Sequence, residues 1–178
     1  MKKLRTSALC LTMILVFGML MACGNKTESW AYNHEPEKEI ISLWDNGKAV
    51  YKDVKYTYTK DDSFINLTRN GETLSLRYEN TKDGMLLYET STYTADGTHD
   101  GVLGTWRQEE NHWSYKFTDD GMFNEDGFFG GHFAVDENAG TIKLMYEDPL
   151  QDTILYYTLD GDNLTVAYPW GMVPTETK

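Results

Sequence analysis

Residues 103–121 read LGTWRQEENHWSYKFTDDG, and the run HWSYKF at 112–117 decides the fold class. Trp113, Tyr115 and Phe117 alternate with His112, Ser114 and Lys116, so an extended chain here has one aromatic and one polar face. Successive side chains point to opposite faces of a strand, whereas an amphipathic helix needs apolar positions three and four apart. TLSLRYE at 73–79 alternates in the same way. Segments rich in Tyr, Thr, Ile and Phe recur at 38–44, 53–59, 63–69, 85–94, 104–109, 128–135, 141–147, 153–159 and 163–168, and this is strand composition. Between them stand Asn70-Gly71, Asp83-Gly84, Asp96-Gly97, Asp120-Gly121, Asp126-Gly127 and Asp160-Gly161. These dipeptides accept the positive φ of tight turns. The expected fold is all-β, an antiparallel meander forming a barrel or two related half-sheets.

The half-sheet alternative comes from a faint repeat. ETLSLRYENTKDGMLLYET can be laid over DTILYYTLDGDNLTVAYPW with a two-residue gap, matching Thr73 with Thr153, Leu74 with Ile154, Gly84 with Gly161 and Leu86 with Leu164. Upstream, Ile65-x-Leu67 falls near Ile142-x-Leu144.

The chain opens MKKLRTSALCLTMILVFGMLMACGNK, in which Lys2, Lys3 and Arg5 precede an uncharged apolar run ending at Ala22. That is the pattern of a secretory signal, shorter than the roughly 20 residues a spanning helix needs. Leu20-Met21-Ala22-Cys23 resembles the lipobox of bacterial lipoproteins, with a bulkier residue than usual at Met21. The resemblance implies cleavage after Ala22, acylation of Cys23, and a mature chain held on the extracytoplasmic face of the cell membrane. Two or more acyl chains anchor stably where one is marginal. The domain organisation expected is a signal peptide at 1–22, a flexible polar tether at 23–39, a β domain at 40–170 and a C-terminal tail at 171–178. Sixteen flexible residues reach roughly 20–25 Å.

With Cys10 in the signal and Cys23 acylated, the mature chain has no free thiol, which excludes a disulfide, a thiolate metal site or a cysteine nucleophile. Stability must come from the core, and the chain beyond Cys23 is long enough for one domain. The net charge is −12, and loss of three basic signal residues makes the mature chain more acidic. Such a surface repels phosphate backbones, so no nucleic-acid partner is expected.

Residues 103–168 resemble the lipocalin-like domains of bacterial lipoproteins. The resemblance rests on Gly104-Thr105-Trp106, Tyr115-Lys116-Phe117 with Asp120-Gly121, Gly131-His132-Phe133, Ile142-Lys143-Leu144, and Leu155-Tyr156-Tyr157 with Asp160-Gly161-Asp162, in that order. In lipocalins the Gly-x-Trp lies near the N-terminus; here Trp106 lies far from it, and Trp44 is a candidate counterpart in the first half. The resemblance implies a barrel with ligand contacts at its mouth or on a sheet face. Trp106, Trp113, Tyr115, Tyr156 and Tyr157 are the expected ligand-binding residues. Aromatics of this number could instead fill a small barrel, and the sequence leaves both outcomes open.

No catalytic constellation emerges, as Gly-x-Ser-x-Gly is absent and none of the four histidines sits in a nucleophile motif. Hence no enzyme, metal or cofactor is expected. Two weaker alternatives are a metal held by His99, His112 and His132, and calcium or hydrolytic chemistry at the acidic segment 119–127. DGFFGGHF is no phosphate loop, since neither a helix nor Lys-Ser/Thr follows. Gly127, Gly130 and Gly131 are expected to permit a bulge or bend. The function expected is binding of a small or extended, partly apolar ligand; the alternative is a cell-envelope module that docks another protein.

Overall fold

The computed structural model describes residues 24–147 and 149–175. Cys23 and the segment before it lie outside the described residues. The described chain is all-β, with fourteen strands and no helix. In chain order these are β1 (Lys26–Tyr32), β2 (Glu39–Trp44), β3 (Lys48–Tyr51), β4 (Val54–Lys60), β5 (Phe64–Arg69), β6 (Glu72–Asn80) and β7 (Met85–Ala95). There follow β8 (Gly104–Arg107), β9 (Ser114–Phe117), β10 (Met122–Glu125), β11 (Phe129–Asp136), β12 (Thr141–Tyr146), β13 (Thr153–Asp160) and β14 (Asn163–Pro174). Sequential strands pair as an antiparallel meander. The chain divides into two compact units, one of residues 24–59, 66–74 and 174–175, the other of Lys60–Ile65 and Ser75–Val173.

In the second unit the pairing closes on itself. Strands β7 to β14 pair in chain order, and β14 returns to β7 over ten consecutive residue pairs, from Met172↔Met85 to Asn163↔Thr94. The result is a ring of eight strands with no unpaired edge. Its core contains Tyr93, Trp106, Tyr115, Phe117, Phe123, Ile142, Leu144, Leu155, Leu164 and Val166, each alternating with a more exposed neighbour.

The first unit is a meander whose buried side chains include Ala31, Ile41, Leu43, Ala49, Tyr51 and Leu67. Its first strand corrects the expected tether: Lys26–Tyr32 pairs with β2. Hydropathy conceals this strand because its buried residues, Ser29 and Ala31, are small. Ser29 and Ser42 share a buried hydrogen bond of 3.0 Å, and Glu39 accepts from Ser42 at 3.0 Å and from Lys26 at 2.9 Å. That Lys26 bond, with Ser42 adding to it, holds the Glu39 carboxyl below its ordinary range. The expected C-terminal tail is also partly strand, since β14 runs to Pro174. Strand β3 escapes the turn signals because its hairpin turns on Lys52-Asp53, both at positive φ (47° and 64°) without a glycine.

The two series of seven strands correspond in order, and their last four strands nearly match in length: 7, 6, 9 and 11 residues against 8, 6, 8 and 12. Ile65 and Leu67 are buried like Ile142 and Leu144. In the hairpins, burial corrects the sequence alignment by one residue: Met85, Leu87 and Tyr93 correspond to Leu164, Val166 and Met172. A slip of one exchanges the two faces of a strand, so burial fixes the register more firmly than residue identity does. By strand order the counterpart of β8, which carries Trp106, is β1 with Trp30; Trp44 belongs to β2.

Gly131 explains the bend expected in DGFFGGHF. It is buried between Tyr146 of β12 and Phe123 of β10 at φ 155°, and a Cβ there would run into the Met145 carbonyl. Gly127 at φ 75° has open space around it. Gly131→Ala is expected to cost on the order of 2–3 kcal/mol in urea unfolding and Gly127→Ala about 1 kcal/mol. Equal losses would remove the close-packing account of Gly131.

Candidate functional site

The five aromatic residues expected at one ligand site are dispersed. Trp106 on β8 is fully buried, its indole N–H donating to the Val102 carbonyl at 2.8 Å with the His99 ring at 4.8 Å. Tyr115, its cross-strand partner on β9, is 2 % exposed. Its ring packs on Tyr93 at 5.2 Å and Phe117 at 5.7 Å, and Phe117 packs on Phe133 at 4.9 Å. These rings fill the core of the eight-stranded ring, which removes Trp106 and Tyr115 from any exposed mouth. The aromatic alternation in 113–117 is the same for a packed core and a lined cavity, which is why the sequence could not separate them.

One carboxylate enters that core. Glu125 on β10 is 8 % exposed and accepts from the Tyr115 hydroxyl at 2.7 Å and the Tyr146 hydroxyl at 2.6 Å. A buried charge is tolerable when its oxygens are hydrogen-bonded in this way. Burial first, and the Glu125 charge second, push the Tyr115 hydroxyl far above its ordinary pKa. Tyr146 moves the same way through burial and its bond to Glu125, and burial lifts Tyr93 to about 12.

Tyr156 and Tyr157 face opposite sides of β13. Tyr157 packs against the core cluster. Tyr156 donates to Glu79 at 3.0 Å, lies 4.0 Å beneath the Arg77 guanidinium, and meets Tyr88 edge-on at 5.1 Å. Its hydroxyl and ring are thus engaged within the second unit. Trp113 is 46 % exposed and belongs to a different feature. The β8–β9 turn, the β10–β11 turn and the β12–β13 loop share one end of the meander. That end carries Trp113, Phe128, Phe129, Leu150 and, just inside β13, Ile154, all between 45 % and 86 % exposed.

The acidic segment 119–127 contains strand β10, and its carboxylates serve the turns around it. Asp126 accepts from the Ser114 amide, and Asp120 from the Thr118 hydroxyl and the Met122 amide. The Thr118 bond, with the Met122 amide adding to it, holds the Asp120 carboxyl below its ordinary range. The histidines are equally separate: His99 bonds Gly101 and Asp162, His112 sits in a turn at φ 59°, and His132 is exposed on β11. Among the described residues no three His, Cys, Asp or Glu side chains form a metal-holding group.

A feature shaped to receive a molecule lies in the first unit, where sequence reasoning had not placed it. It is an open groove of about 590 Å³ bordered by Gly24, Trp44, Asn46, Lys48, Ala49, Val50, Lys55, Tyr56, Thr57 and Thr68. Strand pairing builds it. Lys48 opposes Thr57 and Val50 opposes Lys55 on one face of the β3–β4 hairpin, while Ala49 opposes Tyr56 on the other. Tyr58 donates to the Trp44 carbonyl at 3.1 Å, and Asn25 grips Asp45 through its amide at 2.9 Å and its side chain at 3.2 Å. The Thr57 hydroxyl bonds the Thr68 carbonyl at 3.3 Å, tying β4 to β5. A usable signal was KAVYKDVKYT at 48–57, whose alternation reverses about Lys52-Asp53.

Comparison with protein-family models, with curated proteins and with solved structures finds no match.

The tyrosine cluster has a measurable consequence. A hydroxyl whose folded pKa is raised above the unfolded value near 10 stabilises the fold fully below pH 10, and that stability is lost as pH rises through the folded value. For Tyr93 the window runs from about 10 to about 12. The melting temperature is expected to fall between pH 9 and pH 12, and to fall less in Tyr93→Phe. A flat profile would contradict the burial of these hydroxyls.

Proposed function

We propose that this protein is a lipid-anchored, extracytoplasmic binding protein that holds a small, partly apolar molecule in the groove of its first unit. The observation that carries the reading is the groove itself. Its volume of about 590 Å³ falls in the range of roughly 300–1,000 Å³ typical of small-molecule sites. Its border combines the apolar surfaces of Trp44 and Val50 with the polar side chains of Asn46, Thr57 and Thr68. Apolar walls supply affinity, and a few polar groups orient the ligand. The anchor rests on the lipobox-like Leu20-Met21-Ala22-Cys23.

A second reading, docking of another envelope protein, is favoured by the exposed apolar end of the second unit. Trp113, Phe128 and Phe129 there are the residue types that dominate protein interfaces. The loops around them carry Glu109, Glu110, Asp126, Glu147 and Asp152 without a Lys or Arg, so this reading requires a partner with a basic rim.

Two experiments test the proposal. Native mass spectrometry after mild purification is expected to show an added mass of a few hundred daltons that is lost in Trp44→Ala and kept in Trp113→Ala. A bare mass in the wild type, or loss only in Trp113→Ala, would overturn the groove reading. For the anchor, Cys23→Ala is expected to abolish acylation, measured by fatty-acid labelling, and to reduce the membrane-bound fraction. Unchanged labelling would exclude acylation at Cys23.

A further inference from the structure

On the reading that the groove is a binding site, the geometry points to a ligand with an anionic group, a carboxylate or similar oxyanion attached to an apolar or aromatic body, with Lys55 as its charged contact. The chain as a whole is strongly acidic, with net charge −12, yet none of the ten groove-lining residues is acidic and two are lysines. Strand pairing sets the two lysines on one face of the β3–β4 hairpin. Lys48 opposes Thr57, Val50 opposes Lys55, and Lys48 and Lys55 are therefore diagonal neighbours. Diagonal pairs stand roughly 7–8 Å apart.

Lys26, whose ammonium lies 5.7 Å from the centroid of the Trp44 ring, is neutralised by Glu39 at 2.9 Å. Asp45, whose carboxylate accepts from the Asn25 backbone amide and side-chain amide, is not among the groove-lining residues. Lys55 is exposed on β4 and makes no ion pair among the described residues. A ligand carboxylate would lie beside Lys55, with its apolar body along Val50 and the Trp44 ring. An amine-bearing ligand would meet like charge there, so the same lysines select against cations.

The test uses the full chain in phosphatidylcholine nanodiscs, with empty nanodiscs as the control. The probes are naphthalene-2-carboxylate and naphthalene-2-carboxamide, which share shape and differ in charge. Calorimetric titration is expected to show the carboxylate binding about fivefold more tightly than the amide, the scale of an exposed ion pair. Lys55→Met should remove that preference and leave amide affinity unchanged; Lys55→Arg should retain it. Equal binding of both probes, or a preference that survives Lys55→Met, would overturn the anionic-ligand inference and leave the groove standing as a site. Absence of binding by either probe would overturn the groove reading, and the inference with it.

Discussion

The β7–β14 ladder is the constraint on which the second unit depends. Ten consecutive pairs join residues separated by up to 87 positions, Met85 to Met172, and turn an open meander into a ring. Remove it and β7 and β14 present bare edges, while the aromatic core loses the strands that carry Tyr93, Leu164 and Val166. The ladder also explains Gly84, where a Cβ would run into the Met172 carbonyl. Long-range pairing of this kind pays its loop-closure cost before its contacts form, which sets a slow step in folding. The ladder's two strands are also the last members of the two corresponding series of seven, so equivalent strands pair with each other.

The two units use their strands for different ends. In the second, Trp106, Tyr115, Phe117 and Phe123 occupy the interior, and Glu125 enters only because two tyrosine hydroxyls receive it. In the first, small residues such as Ser29, Ala31, Ser42 and Ala49 take many buried positions, and an open groove borders Trp44. The aromatic-rich unit is thus closed by its own side chains, and the groove belongs to the other.

Alternation and Asp-Gly turns made most strands legible, because a half-buried strand must show period two and a tight turn must accept positive φ. What escaped had physical causes. Strand β1 buries Ser29 and Ala31, too small to register as apolar; β3 turns on Lys52-Asp53 without glycine; and β10 hides in an acidic run whose carboxylates bind turn amides. The hairpin alignment slipped by one residue because identities such as Leu86 with Leu164 carry no information about face, whereas burial does. The groove was illegible for a related reason: Trp44, Val50, Lys55 and Thr68 meet only through the registers of β2 to β5, and no short motif contains them.

On the function proposed, a ligand meets the first unit at Trp44 while the core of the second stays closed. The chain contains five tryptophans, so five indole N–H resonances report on five places at once. Assigned 15N spectra recorded during titration with naphthalene-2-carboxylate are the most direct measurement. The Trp44 resonance is expected to shift in a saturable way while that of Trp106, fully buried and bonded to Val102, stays fixed. A saturable shift at Trp106 with Trp44 unmoved would place the ligand inside the eight-stranded ring and contradict the account.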